Sequence, residues 1–154
     1  MKTLVAGARA PDFLLPDQAG KDQELSQLLL RGPVVLFLFF LPTPGSGGFT
    51  REVGHFRDLV MRFAEAGAHR VGISIDDLTF TELFAESEQL DFPLLADVDG
   101  AVADAYGVRR RFLAGVKRVT FVIDQRQRIV EVIQSGTSTS VHGDRALEVL
   151  TRLA

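Results

Sequence analysis

The sequence contains no cysteine and no tryptophan, and Tyr106 is its one tyrosine. Without a thiol there is no disulfide framework, no thiolate metal site and no sulfenic-acid chemistry. An excess of positive charge is missing too. Seventeen Lys and Arg stand against 20 Asp and Glu, a net charge of −3, which argues against nucleic acid or an anionic membrane as an electrostatic partner. The longest apolar run, Val34 to Leu41, is far too short to cross a bilayer and is expected to be a buried strand. The opening residues Met1–Ala8 lack the apolar stretch of a secretory signal, so a cytoplasmic location is expected. There is no internal repeat and no linker-like stretch. With 154 residues, 46% of them hydrophobic, residues 1–154 are expected to form one domain with a sizeable core.

What is present reads as alternating elements. After an irregular entry punctuated by Pro11 and Pro16, the run from Val34 shows no alternation and so predicts a central strand covered on both faces. Pro42-Thr43-Pro44-Gly45-Ser46-Gly47-Gly48 is expected to be loop, because Gly and Pro at this density continue neither regular element. A helix follows from about Phe49 to Ala66, with Val53, Phe56, Val60 and Phe63 on one face and Gly67 as its stop. Val71–Ile75 predicts a second strand, parallel to the first. Thr79 with Glu82 predicts a capping box opening a helix that carries Phe80, Leu83 and Phe84. Phe92–Leu95 reads as a short strand and Asp97-Val98-Asp99-Gly100 as a turn. Val119–Ile123 and Ile129–Ile133 read as a hairpin about Gln125-Arg126-Gln127, and Ala146, Leu147, Leu150 and Leu153 form the apolar stripe of a closing helix. The predicted architecture is α/β: a mixed central sheet with helices on both faces, parallel strands joined by right-handed crossovers and an antiparallel hairpin at one side, the thioredoxin-like layout.

The strings Ala8-Arg9-Ala10-Pro11-Asp12-Phe13, Phe56-Arg57-Asp58, Gly72-Ile73-Ser74-Ile75-Asp76, Phe92-Pro93-Leu94-Leu95-Ala96-Asp97 and Arg118-Val119-Thr120-Phe121-Val122-Ile123-Asp124 occur in one order and spacing. In that arrangement the chain resembles the peroxiredoxins, of the alkyl hydroperoxide reductase and thiol-specific antioxidant group. Its length is most similar to the bacterioferritin-comigratory-protein branch. The family's active loop has Pro, then Thr four positions on, then Cys three positions after that. Here Pro42 is followed at that spacing by Ser46 and then Phe49, with Glu52 beyond, and Arg118 matches the family's active-site arginine. The branch's common second cysteine would fall at Gly54. The resemblance therefore implies a peroxide-site frame of Pro42, Ser46, Phe49, Glu52 and Arg118 from which both redox positions are gone, so no catalytic residue and no cofactor is expected.

The frame suits a thiolate. A helix N-terminus beside an arginine favours the anion, which alone attacks peroxide. Ser46 cannot take that role: an alkoxide is no two-electron reductant of peroxide, and no base is evident beside it. It reads as a helix cap. Phe49 reads as a ring plugging the old site, the alternative being the wall of a small apolar pocket. Arg118 has two readings, an anion site or an ion pair with Glu52.

Outside the frame the readings are plainer. Arg109-Arg110-Arg111 is a solvated charge run, with a phosphate or acidic-partner site as the alternative. His55, His69 and His142 lack metal-ligand spacing and read as surface residues, and Met61 reads as packing. Gln127 stands where the family usually has Gly, which puts the hairpin turn in question. Three functions follow for comparison: a non-catalytic homologue binding a protein partner or small anion near Arg118, a peroxidase drawing sulfur from another molecule, and a subunit of a dimer with an active paralogue.

Overall fold

The computed structural model describes residues 2–39, 54–109, 118–134 and 141–153. A hairpin of β1 (Leu14–Pro16) and β2 (Asp22–Glu24) occupies the stretch expected to be irregular, and leads into one turn of helix, α1 (Leu25–Leu28). These elements are three or four residues long, too short to leave a periodic signal. The main sheet has five strands: β3 (Val34–Phe39), β4 (His69–Ser74), β5 (Leu94–Ala96), β6 (Val119–Ile123) and β7 (Ile129–Ile133), in the order β5-β4-β3-β6-β7. β3, β4 and β5 are mutually parallel, while β6 and β7 run antiparallel to their neighbours, as the sequence predicts.

Both faces of this sheet are covered, and the strand pleat divides the core in two. Val34, Leu36, Val71, Ile73, Phe121 and Ile123 face α1 and α4 (Ala101–Ala105). Val35, Phe37, Leu94 and Val122 face a helical stretch at 54–58, α2 (Val60–Glu65), α3 (Leu78–Ser87) and α5 (Val141–Leu153). Tyr106 is fully buried on the first side, its hydroxyl donating to the carbonyl of Pro11 at 2.7 Å.

Several expectations need correction. The helix after the loop is interrupted at Leu59 (φ −88°, ψ 16°), although Leu59 N still donates to His55 O and Phe63 N to Leu59 O, so Phe56 and Phe63 keep one face. Phe56 and Phe63 stay buried, but Val60 turns outward and Met61, expected to pack, is 68% exposed. The N-cap of α3 is Asp77 rather than Thr79. Its carboxylate accepts from Phe80 N at 2.8 Å and satisfies an orphan donor of the first turn, so the helix already begins at Leu78. Thr81 and Ala85 are the buried residues of that helix, with Phe80 and Phe84 packed beside them, and Leu83, off that face, is exposed. Leu153 lies in the final turn of α5 and is exposed, whereas Ala146, Leu147 and Leu150 are buried. The second and third strands begin two residues away from their expected starts. His69 and Arg70 pair with Val34 and Val35, and β5 starts at Leu94.

The Asp97 turn is confirmed. Gly100 adopts φ +73°, and the buried Asp97 carboxylate accepts from Val102 N and Ala103 N at the start of α4. Burial raises its pKa above the ordinary carboxylate value. The β6–β7 turn also survives without glycine. Gln127 takes the left-handed conformation itself (φ 64°) and is held from both sides: its side-chain amide donates to the Ala10 carbonyl, and its own carbonyl accepts from Ala10 N.

Candidate functional site

The register fixes where Arg118 lies. β3 ends at Phe39, and β6 runs antiparallel beside it with Val119 opposite Leu38, so Arg118 comes opposite the carboxyl end of β3. Arg118 is half-buried there. Open α/β sheets bind ligands at the carboxyl ends of their parallel strands, and β3 and β4 both terminate on this side. Pro42, Ser46, Phe49 and Glu52 lie outside the described residues, as do Arg110 and Arg111 of the charge run. Of the run, Arg109 is exposed and pairs with Asp104 at 3.2 Å while donating to the Asp99 carbonyl, a local contact rather than a ligand site.

The helical stretch at 54–58, which follows the frame in the chain, is anchored by four separate contacts. The Phe56 ring stacks on Phe37 of β3 with centroids 4.1 Å apart and planes within 7°. Its carbonyl accepts from Arg70 Nη1 at 2.8 Å. Arg57 donates to the Glu88 carbonyl at 2.7 Å, tying the stretch to the end of α3. His55 Nε2 meets Asp144 Oδ1 at 2.8 Å, tying it to α5, where Gly143 leaves room: a Cβ there would come within 3.0 Å of both His55 and Leu59.

The three histidines do not share one environment. His55 is half-buried and paired. His142, expected at the surface, is fully buried, with Nδ1 2.7 Å from Thr120 Oγ1. It sits at the start of α5, where the helix packs on β6, so the polar ring is tolerated because Thr120 meets it. His69 is half-buried at the first position of β4. No group of three or more His, Asp or Glu among the described residues is placed to hold a metal ion.

Sequence reasoning missed one cluster. Arg70 lies inside an apolar strand, 8% exposed, with Nη1 and Nη2 in a two-point bond to Asp91 at 3.0 and 2.8 Å. Its guanidinium also lies 5.0 Å from the centre of the Phe92 ring and 5.8 Å from that of Phe63. The available signal was a charged residue directly before Val71-Gly72-Ile73, where β strands buried on both faces rarely carry one.

A mixed five-stranded sheet covered by helices on both faces, with an arginine at the carboxyl end of its central strand, defines a thioredoxin-like α/β protein of the peroxiredoxin type. Residues 6–132 match the AhpC/TSA family, and the chain belongs to that family while containing no cysteine. A Mycobacterium tuberculosis relative described as a peroxiredoxin is 48% identical over 153 residues, covering 97% of this chain and 96% of the relative. Peroxiredoxin Bcp of Escherichia coli K12 is 35% identical over 156 residues, covering 97% of each chain. Among solved structures, peroxidoxin BcpB from Mycobacterium tuberculosis superposes with a TM-score of 0.91 at 45% identity, covering 98% of this chain and 99% of that one. Peroxiredoxin Q of Xanthomonas campestris superposes with a TM-score of 0.81 at 25% identity, covering 92% of each. No helix among the described residues is long and apolar enough to cross a membrane.

Proposed function

We propose that this protein is a cytoplasmic, non-catalytic member of its family that uses the old peroxide-site surface to bind a protein partner or a small anion near Arg118. One observation carries the reading: a complete family fold, with its arginine at the carboxyl end of β3, in a chain that has no cysteine. Peroxide reduction in this family's manner passes two electrons from a thiolate and leaves a sulfenic acid. Neither serine nor phenylalanine can make that transfer and return. What the frame retains is a guanidinium, which suits a carboxylate or an oxyanion.

The test is peroxide consumption by the purified protein. With hydrogen peroxide or an alkyl hydroperoxide, and dithiothreitol or thioredoxin as reductant, the rate should equal that of the protein-free blank. Turnover above the blank that survives chelation and repurification refutes the proposal. Binding is read separately, by native pull-down with mass spectrometry and by phosphate titration of the wild-type protein against Arg118→Ala.

A further inference from the structure

The amino-terminal end of the parallel strands, opposite the frame, holds a cleft of about 210 Å³. Val60, Phe63, Phe92 and Pro93 give it apolar walls, and His69, Arg70 and Asp91 supply its polar atoms. The two charges satisfy each other, because both Asp91 oxygens accept from Arg70. A charged ligand therefore gains little here. His69 is different: its Nε2 is buried and has no hydrogen-bond partner among the described residues.

The chemistry of that atom follows from the rest of the ring. Burial together with the nearby Arg31 charge lowers the pKa of the imidazole, against a smaller opposing effect of the Leu28 backbone, so the ring is neutral at neutral pH. A neutral imidazole has one N–H. The Leu28 backbone favours an N–H turned toward it and Nε2 makes no bond, so the N–H is assigned to Nδ1, which leaves Nε2 as the acceptor. An unpaired buried acceptor is costly, and a ligand donor relieves that cost.

We propose that this cleft is a second binding site, for a small neutral molecule with an apolar or aromatic body and one O–H or N–H donor, the donor going to His69 Nε2. The volume is adequate, since an apolar cavity of about 150 Å³ in another protein takes up benzene. Nε2 is covered, so the donor reaches it after a small reorientation of the ring, which the broad terminal torsion of histidine permits. The site is independent of the frame at the other end of the sheet.

Phenol and toluene test this, as they match in shape and differ in the donor. The readout is titration of the wild-type protein followed through the His69 ring nitrogens and the β4 amides by NMR. Phenol should give saturable shifts at millimolar concentration, with the Nε2 resonance moving most. Toluene should bind at least about tenfold more weakly, because it covers Nε2 without donating to it. His69→Phe should abolish the preference for phenol. The idea is overturned by equal affinity for the two ligands, by a His69→Phe protein that keeps the preference, or by a cleft that holds a water molecule and takes up neither. The two-ligand comparison on the unaltered protein decides the matter even where His69→Phe does not fold.

Discussion

The two ends of the central sheet solve opposite problems. At the carboxyl end, the family resemblance would put Arg118 in a frame that stabilises one anion, with Phe49 in the place of the residue that carried it. At the amino end, the cation is matched within the fold: Arg70 is buried, bonded twice to Asp91 and flanked by two phenyl rings. On that reading one end keeps an arginine from a chemistry this chain cannot perform, while the other has closed its charges into structure. A cation that is internally matched adds to stability and recruits little. The contrast can be attacked from either end.

The largest effect is expected between the two ends, at Phe56. This ring is fully buried, stacked on Phe37, and followed by a carbonyl that Arg70 holds. Phe56→Ala should cost about 3–5 kcal/mol, the usual range for a core phenylalanine. Urea denaturation measures it. A loss under about 1 kcal/mol would mean the stretch at 54–58 is not anchored as described.

Next comes the matched pair itself. Asp91→Ala leaves a buried guanidinium with only carbonyl partners. Breaking a fully buried pair costs about 3–5 kcal/mol, and because Asp91 is 40% exposed we expect about 2–3 kcal/mol here. Arg70→Met, which removes the charge and keeps the packing between Phe63 and Phe92, should cost less than Asp91→Ala. The reverse order would show that the pair is held for its charge rather than enclosed by the fold.

The carboxyl end is tested by restoring what it lacks. If the frame is still assembled, Phe49→Cys places a thiol at a helix N-terminus within reach of Arg118. Such surroundings take a thiol from about 8.5 to roughly 3.5–7.5. The variant should react with iodoacetamide at neutral pH faster than free cysteine, and adding Arg118→Ala should raise the thiol pKa and slow the reaction. A thiol that titrates like free cysteine and ignores Arg118 would show a frame that has decayed, and the anion-binding proposal would lose its support.

The same contrast governs what the sequence disclosed. Strong, long patterns were readable: the run at Val34–Phe39 is the central strand, its parallel neighbour and the β6–β7 hairpin follow, and family strings locate Arg118. Short elements were not: β1 leaves Leu14 exposed, β2 carries no apolar residue, and α1 fully buries Leu25 alone, too little to make a period. Phase was the second casualty. Met61 lies well around the helix from the buried Phe56 and Phe63, and Leu83 lies off the face that Phe80, Thr81, Phe84 and Ala85 turn to the core. Polar burial was the third. Nothing local to His142 announces Thr120, and nothing local to Arg70 announces Asp91, because both partners arrive from distant points in the chain.

The smallest effect sharpens the amino end, through pH. Burial, helped by the nearby Arg31 charge, holds His69 below its ordinary pKa of 6.5 in the folded state, with the Leu28 backbone acting the other way. Below pH 6.5 the unfolded chain takes up a proton that the folded chain resists. Stability should therefore be lost as pH falls from about 6.5 toward the lowered folded value, and not above it. Asp97 contributes with the opposite sign, because its raised pKa gives stability back as pH falls, so absolute curves mix the two. The informative quantity is the difference in unfolding free energy between wild type and His69→Phe. It should be constant above pH 7 and shift in favour of the variant below pH 6.5. Phenol affinity should hold over that interval and decline only at lower pH, where the folded ring itself takes up a proton, since a protonated Nε2 donates rather than accepts. A stability difference that stays flat down to pH 5 would show that His69 is not held neutral in the folded state, and a phenol affinity that falls already near pH 6.5 would show the same from the ligand's side.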